Sequence, residues 1–312
     1  MNEFQILVFL GLPGIGRITV KKIIDKKPPL NDNNNYEDYV QTIKDIVPNA
    51  AKKISLNDVM KSFSYANGIL EECGKLKIIP VGYNNKLYPE QLKDLGKKSP
   101  VLIYAKGNLS LLKSTKNIAI IGTRNISIEG LKAGSYITKQ FVNKGYTIVS
   151  GLAKGCDTVG HKVCLDNGGK TIAVLASGLD IVYPKDNIAL AKRILKNGCL
   201  ISEYPPNTEV MSNYFIERDR IQSGLSKGIV VIETNTKGGT MHTVKFGLEQ
   251  GRKVACINYK EDLILPSNAG NRMLINDKTA FSLSSENIDQ YIELLNQSNN
   301  LNDVIEQGTF EF

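Results

Sequence analysis

Five loops in this chain bring together residue types that suit an anion, and four of them set glycine beside a small hydroxyl or a cation. They are Gly122-Thr123-Arg124-Asn125, the run Ser150-Gly151 through Lys154-Gly155-Cys156-Asp157, Ser177-Gly178-Leu179-Asp180, Ser202-Glu203-Tyr204-Pro205-Pro206, and Lys237-Gly238-Gly239-Thr240. Glycine lets the backbone come close to an anion, and successive N–H groups form a concave nest for phosphate oxygens. Arg124 adds a planar fork suited to bidentate phosphate contact. The segment Asn213–Arg220 sets Tyr214 and Phe215 beside Arg218 and Arg220. Aromatic faces stack on unpaired bases while arginines hold the backbone, the combination that grips single strands without sequence choice. The same segment also reads as a helix with Phe215 in the core and its charges paired on the surface.

Catalysis and metal binding have less to stand on. Asp157 and His161 are four apart with no third member, so Asp157 is expected to cap a helix and both to be structural. His242 follows a glycine turn alone. The five cysteines are scattered without a C-x-x-C pair, and two histidines cannot complete a zinc set. No G-x-G-x-x-G follows the first core strand and no G-x-x-x-x-G-K-[ST] occurs, so neither a dinucleotide nor an ATP site is supported. The expectation is a protein with no catalytic residue, no cofactor and no metal.

The elements that must position these loops are legible from 117 onward. Apolar runs at 118–121, 147–149, 171–175, 199–202, 229–232 and 254–257 alternate with helical stretches. Runs without polar alternation are what parallel strands covered on both faces look like, so the expected fold is α/β, a doubly wound and mostly parallel Rossmann-like sheet. Ligands of such sheets bind beyond the carboxyl ends of the strands, where the loops lie. Residues 78–81 and 101–104 read as two further strands that lead into this core. Ahead of them, 1–76 read as a small helical domain. Its Leu10–Ile24 stretch, with Gly14 and Gly16 between two apolar segments, resembles a helix–hairpin–helix turn, with Arg17, Lys21 and Lys22 as cations for a DNA phosphate. A plain helical corner fits equally well.

The chain has 312 residues, 42% of them hydrophobic, and a net charge of +8. That total divides into +7 for 1–116, +7 for 117–258 and −6 for 259–312. A basic body favours anionic partners, nucleic acid first. No stretch approaches a membrane span, the apolar start lacks the basic flank of a signal peptide, and scattered thiols suit a reducing cytoplasm. From Glu286 onward six residues are acidic and none is basic. Ile288, Ile292 and Leu295 there predict one short docking helix ahead of a loosely held end.

Taken in order, these blocks resemble the DNA-processing protein A (DprA, or Smf) family from about Lys77 to Phe281. The blocks are Ile118–Asn125, Ile148–Asp157 with His161, Gly178-Leu179-Asp180, Tyr183-Pro184, Ser202–Pro206, Arg218–Ile221, Leu248–Arg252 and Ser267–Asn271. The resemblance implies a cytoplasmic protein that binds single-stranded DNA, forms a homodimer, and loads the RecA recombinase during natural transformation, with no enzymatic activity. It places the DNA pocket at Gly122, Thr123, Arg124, Asn125, Ser150, Gly151, Lys154, Phe215, Arg218, Arg220, Lys237, Gly238 and Gly239, and self-association at Ile229–Leu274. Asp219 stands where the family commonly has Asn, so it must turn away from phosphate or pair with an arginine. Gly238–His242 and Asn258-Tyr259 also depart from the pattern. With 282–312 as an acidic tail, a C-terminal winged helix is not expected. Two other readings keep the fold: a nucleotide-sensing regulatory or defence protein, and a nucleotide phosphoribohydrolase, whose glycine loop Lys237–Thr240 resembles without the accompanying Glu.

Overall fold

The apolar runs of the second half form one sheet. The computed structural model describes residues 1–30, 35–263 and 265–297. Its strands are β1 Ile79–Gly82, β2 Leu102–Gly107, β3 Asn117–Ile121, β4 Thr147–Ser150, β5 Thr171–Leu175, β6 Cys199–Ser202, β7 Gly228–Val231, β8 Lys253–Ile257 and β9 Phe281–Leu283. They lie in the order β1-β2-β6-β5-β4-β3-β7-β8-β9. Every pairing from β6 to β9 is parallel, while β2 runs antiparallel to both β1 and β6. The fold is α/β, doubly wound and mostly parallel. Strand β9 and the helix ahead of it carry the sheet past 257, where the apolar runs end. Three residues, two of them half-exposed at an edge, leave no long apolar signature.

Helices cover both faces. The core helices are α6 Ile128–Asn143, α7 Cys156–Asp166, α8 Ile188–Asn197, α9 Ser212–Gly224, α10 Thr240–Glu249, α11 Ala269–Asn276 and α12 Ile288–Asn296. Successive residues of a strand point to opposite faces. Accordingly Ile118 and Ile120 pack with Ile137 and Phe141 of α6 and with Tyr291 of α12. Ala119 and Ile121 instead pack with Val244 of α10 and Leu274 of α11. Farther along that second face, Val149, Ile172 and Val174 meet Ile221 of α9 and Leu225 at its C-cap. Each such fully buried aliphatic side chain contributes about 1.5–3 kcal/mol. The expected docking helix is α12, with Ile288, Tyr291 and Leu295 buried. Of the acidic end, Asp303, Glu306 and Glu311 lie outside the described residues.

The N-terminal helices are α1 Glu3–Leu10, α2 Arg17–Lys26, α3 Tyr36–Ile46, α4 Pro48–Ala51 and α5 Leu56–Leu76. Capping boxes start α1, α3 and α5: Asn2 with Gln5, Asn35 with Asp38 and Ser55 with Asp58 satisfy each other's backbone N–H groups. Ile6, Phe9, Ile23 and Tyr39 share one apolar cluster with Tyr104 of β2, Leu200 of β6 and Ile194 of α8. These helices therefore pack on the end of the sheet that holds β2 and β6. Among the described residues no helix is long and apolar enough to cross a membrane.

Candidate nucleic-acid interface

The sheet reverses its winding at β3. The chain proceeds from β3 to β4 on one side and reaches β7, on the other, only after β6. The loops after β3 and β7 therefore diverge and leave a crevice at the carboxyl ends of the strands, the usual ligand position in this architecture. A cleft of about 370 Å³ lies there. Gly122, Thr123 and Arg124 line it from β3, Ala153 and Asp157 from the β4 side, Phe215, Arg218 and Asp219 from α9, and Gly238, Gly239, Thr240 and Thr243 from the start of α10. The loops at Gly122 and Gly238, more than a hundred residues apart in sequence, thus meet.

The cleft's mouth and its floor differ in kind. At the mouth the exposed Arg124 guanidinium sits 5.1 Å from the centre of the half-buried Phe215 ring, and that ring meets Tyr183 at 5.8 Å. Lys237 and Asn125 are exposed, and Gly239 caps α10 with no side-chain hydrogen bond; in that first turn the Met241 and His242 N–H groups donate to the Gly238 and Gly239 carbonyls at 3.0 Å, and the positive end of the helix dipole faces the cleft. Among the described residues neither Arg124 nor Lys237 makes an ion pair. Lys154, also exposed, pairs with Asp186.

At the floor the polar groups are occupied by one another. Arg218 is 6% exposed; its Nη1 donates to the Val174 carbonyl at 2.6 Å and its Nε to Asp219 Oδ1 at 3.1 Å. A Cβ on Gly151 would run into that guanidinium, so glycine there makes room for the arginine. Asp219 thus pairs with an arginine, the second of the two outcomes expected for it, yet it also walls the cleft. Burial first, then the nearby Asp157, pushes the Asp219 carboxyl up to about 6, against the pull of Arg218. Asp157 is raised by burial as well, opposed by Arg218.

Asp157 does not cap its own helix, as the sequence suggested. It lies inside the first turn of α7, whose cap is Gly155, and its Oδ2 accepts from the N–H groups of Gly151 and Ala153 at 3.1 and 3.2 Å. It therefore fastens the β4 loop rather than the helix end. Gly155 has φ +73°, and a Cβ there would strike the Thr123 carbonyl, so the β3 and β4 loops touch only through glycine. Ser150 is buried, donating from Oγ to the Ile120 carbonyl at 2.7 Å.

His161 is buried beneath this floor, 2.7 Å from Thr171 Oγ1 through Nδ1. Thr171 Oγ1 donates to the Ile148 carbonyl, so it accepts from His161 and fixes the proton on Nδ1. Burial, then the Arg218 charge, lowers the imidazole to about 3. It is a neutral core residue. The five cysteines are buried too.

Other residues of the expected set lie away from the cleft. Arg220 is 1% exposed and pairs with Glu203 and with Glu217, the latter at 3.3 Å. Arg17 at the start of α2 reaches the same Glu217 at 2.5 Å. Lys21 pairs with Asp25 at 2.5 Å and lies over the Tyr83 ring. Gly14 and Gly16 form the turn ahead of α2, with Gly14 at φ +74° and Gly16 as an N-cap without a side-chain bond. Sequence reasoning missed Glu233. From the end of β7 it accepts from the backbone N–H of Ser127 at 2.8 Å and from its hydroxyl at 2.5 Å, fixing the start of α6 and, through its carbonyl, Thr123. The available signal was a carboxylate directly after an apolar strand, with a Ser-x-x-Gly helix start elsewhere in the chain.

The chain matches the family described as DNA recombination-mediator protein A over 80–296. It is 35% identical over 219 residues to the DNA processing protein DprA of Bacillus subtilis, covering 70% of this chain and 72% of that one. Against DprA of Streptococcus pneumoniae it is 41% identical over 170 residues, 54% of this chain and 59% of that one. Against protein Smf of Escherichia coli it is 37% identical over 172 residues, 55% and 46% of the two chains. The matched part thus spans from under half to under three quarters of these relatives. Among solved structures, DprA of Streptococcus pneumoniae superposes with a TM-score of 0.78 at 27% identity, covering 93% of this chain and 98% of that one. DprA of Helicobacter pylori, whose structure concerns its single-stranded DNA binding mode, gives 0.62 at 23% identity over 72% and 96%. A profile match over more than two thirds of the length, on a sheet that winds as this one does, places the chain in the DNA recombination-mediator protein A family.

Proposed function

We propose that this protein binds single-stranded DNA in the switch-point cleft, with little choice of sequence. The observation that carries the reading is the Arg124 guanidinium over the Phe215 ring, beside the first turn of α10 and the exposed Lys237. A base can stack where that ring and cation lie, while phosphates take Lys237 and the positive end of the α10 dipole. The Helicobacter relative's single-stranded DNA binding supports the assignment. Among the described residues the cleft is built from strand-end loops and helix starts with no helix projecting as a major-groove reader, which favours unpaired strands and ends over internal duplex. The test is a titration of single- and double-stranded oligonucleotides at two salt concentrations. Arg124→Ala and Lys237→Ala should each weaken binding to all sequences and flatten the salt dependence by about 0.7 in log–log slope per lost phosphate contact. Equal affinity for internal duplex, or unchanged slopes in both variants, overturns the reading.

By the same reading the chain acts in the cytoplasm as a homodimer through Ile229–Leu274, and hands single strands to the RecA recombinase in transformation or recombination. We take it to be a binding protein and not an enzyme. The acids lining the cleft are Asp157 and Asp219, both buried and held by Arg218 or by backbone N–H groups. Glu203 is held by Arg220, and Glu249 by Lys98 at 2.7 Å. Among the described residues these carboxylates are all engaged, which speaks against the phosphoribohydrolase reading.

A further inference from the structure

We propose that Asp219 links anion binding in the cleft to proton uptake, so that the protein holds DNA more tightly as pH falls below neutrality. The inference rests on the reading of the cleft as a DNA site and adds its regulation.

The geometry is a triad with unequal charge. One guanidinium, Arg218, faces two carboxylates, Asp219 on its own helix and Asp157 on α7, and all three are more than nine-tenths buried. With both acids ionised the floor carries one net negative charge, directly under the place a phosphate must approach. Bringing an anion over these buried carboxylates therefore raises the energy of the second one, and a proton relieves it.

Which acid takes the proton follows from their partners. Asp157 accepts from two backbone N–H groups, and these bonds favour its charged form. Asp219 has Arg218 and the Thr243 hydroxyl and no backbone donor among its stabilising partners. It titrates first, and burial already sets it at about 6. A bound phosphate lifts it further, so the complex binds more protons than the free protein. The sign is fixed: affinity falls as pH rises from the free value towards the raised value of the complex, by at most about tenfold per pH unit for one proton. The other charged or titratable groups that face the cleft near Asp219 are His242 on α10 and Arg124 after β3. A His242 variant therefore serves as the control for the α10 side of the cleft.

The experiment is fluorescence anisotropy of a labelled oligothymidylate, whose bases do not titrate near neutrality, at constant ionic strength between about pH 6 and about pH 8. The full-length protein should bind roughly 3- to 10-fold more weakly at pH 7.5 than at pH 6. Asp219→Asn should flatten that dependence and bind more tightly at the alkaline end, and His242→Gln should keep the slope whatever it does to affinity. Calorimetry of the unaltered protein in two buffers of different ionisation enthalpy should show proton uptake on binding, which needs no variant to fold. A flat profile, zero proton uptake, or a slope retained by Asp219→Asn and lost in His242→Gln overturns this inference and leaves DNA binding standing. Failure to bind the oligonucleotide at any pH overturns both.

Discussion

Arg218 and Arg124 border one cleft, yet the first donates to a strand carbonyl and to Asp219 while the second lies exposed over a ring. Residue type alone does not separate them, since both occur beside polar or aromatic neighbours in the sequence. What separates them is distance from the end of the sheet: Arg218 passes under the β4 loop to reach Val174 on β5. Arg218→Ala should therefore act on folding as well as binding. It strips two buried carboxylates of their common cation, a loss of about 3–5 kcal/mol. Arg124→Ala, made in solvent, should leave stability within about 0.5 kcal/mol. Urea unfolding midpoints of the two variants check this. Similar midpoints would mean that Arg218 is not the pillar of the floor.

The same contrast holds between helices. The core strands and the helices α6, α7, α8 and α10 were legible because each buries one face in a continuous apolar layer, and that leaves a periodic trace in the sequence. Helix α9 left none. From Arg218 to Gly224 it is buried on all sides, so its polar residues sit inside and its pattern reads as a charged surface. The cleft's glycine loops were legible from local spacing, whereas the partners of the α9 charges were not. Arg17 and Glu217 are two hundred residues apart, and only the fold, which brings the start of α2 up to α9, joins them. That network ties the N-terminal helices to the core, and its members should not weigh equally. Glu203→Ala leaves Arg220, 1% exposed, without its shortest partner and should cost about 3–5 kcal/mol. Arg17→Ala removes a half-exposed pair and should cost about 1 kcal/mol or less. Thermal melts of both variants decide it, and a larger loss for Arg17→Ala would show the network to be held from the α2 side.

At the scale of the whole chain the charge is unevenly laid out, with two basic blocks followed by an acidic one. A basic body attracts any polyanion, but screening at physiological salt limits that attraction to about 8 Å. The cleft, of about 370 Å³, accommodates a short stretch of strand rather than a long one. On the proposed function, tight, sequence-tolerant binding would come from using more than one cleft on the same strand. The proposed symmetric dimer would supply a second copy at an effective concentration of roughly millimolar, enough to raise affinity about 10²- to 10⁴-fold once one strand reaches both sites. Affinity plotted against oligonucleotide length should therefore show a step: shallow for strands that fill one cleft, then steep at the length that bridges two. Arg124→Ala, present in both copies, should lower both sides of the step. Arg272→Glu on α11, within the proposed dimer segment, should remove the step and leave the short-strand affinity as it was. Light scattering should then report a particle of one chain's mass. A smooth length dependence in a protein that scatters as a dimer would mean that the two clefts face away from any common path.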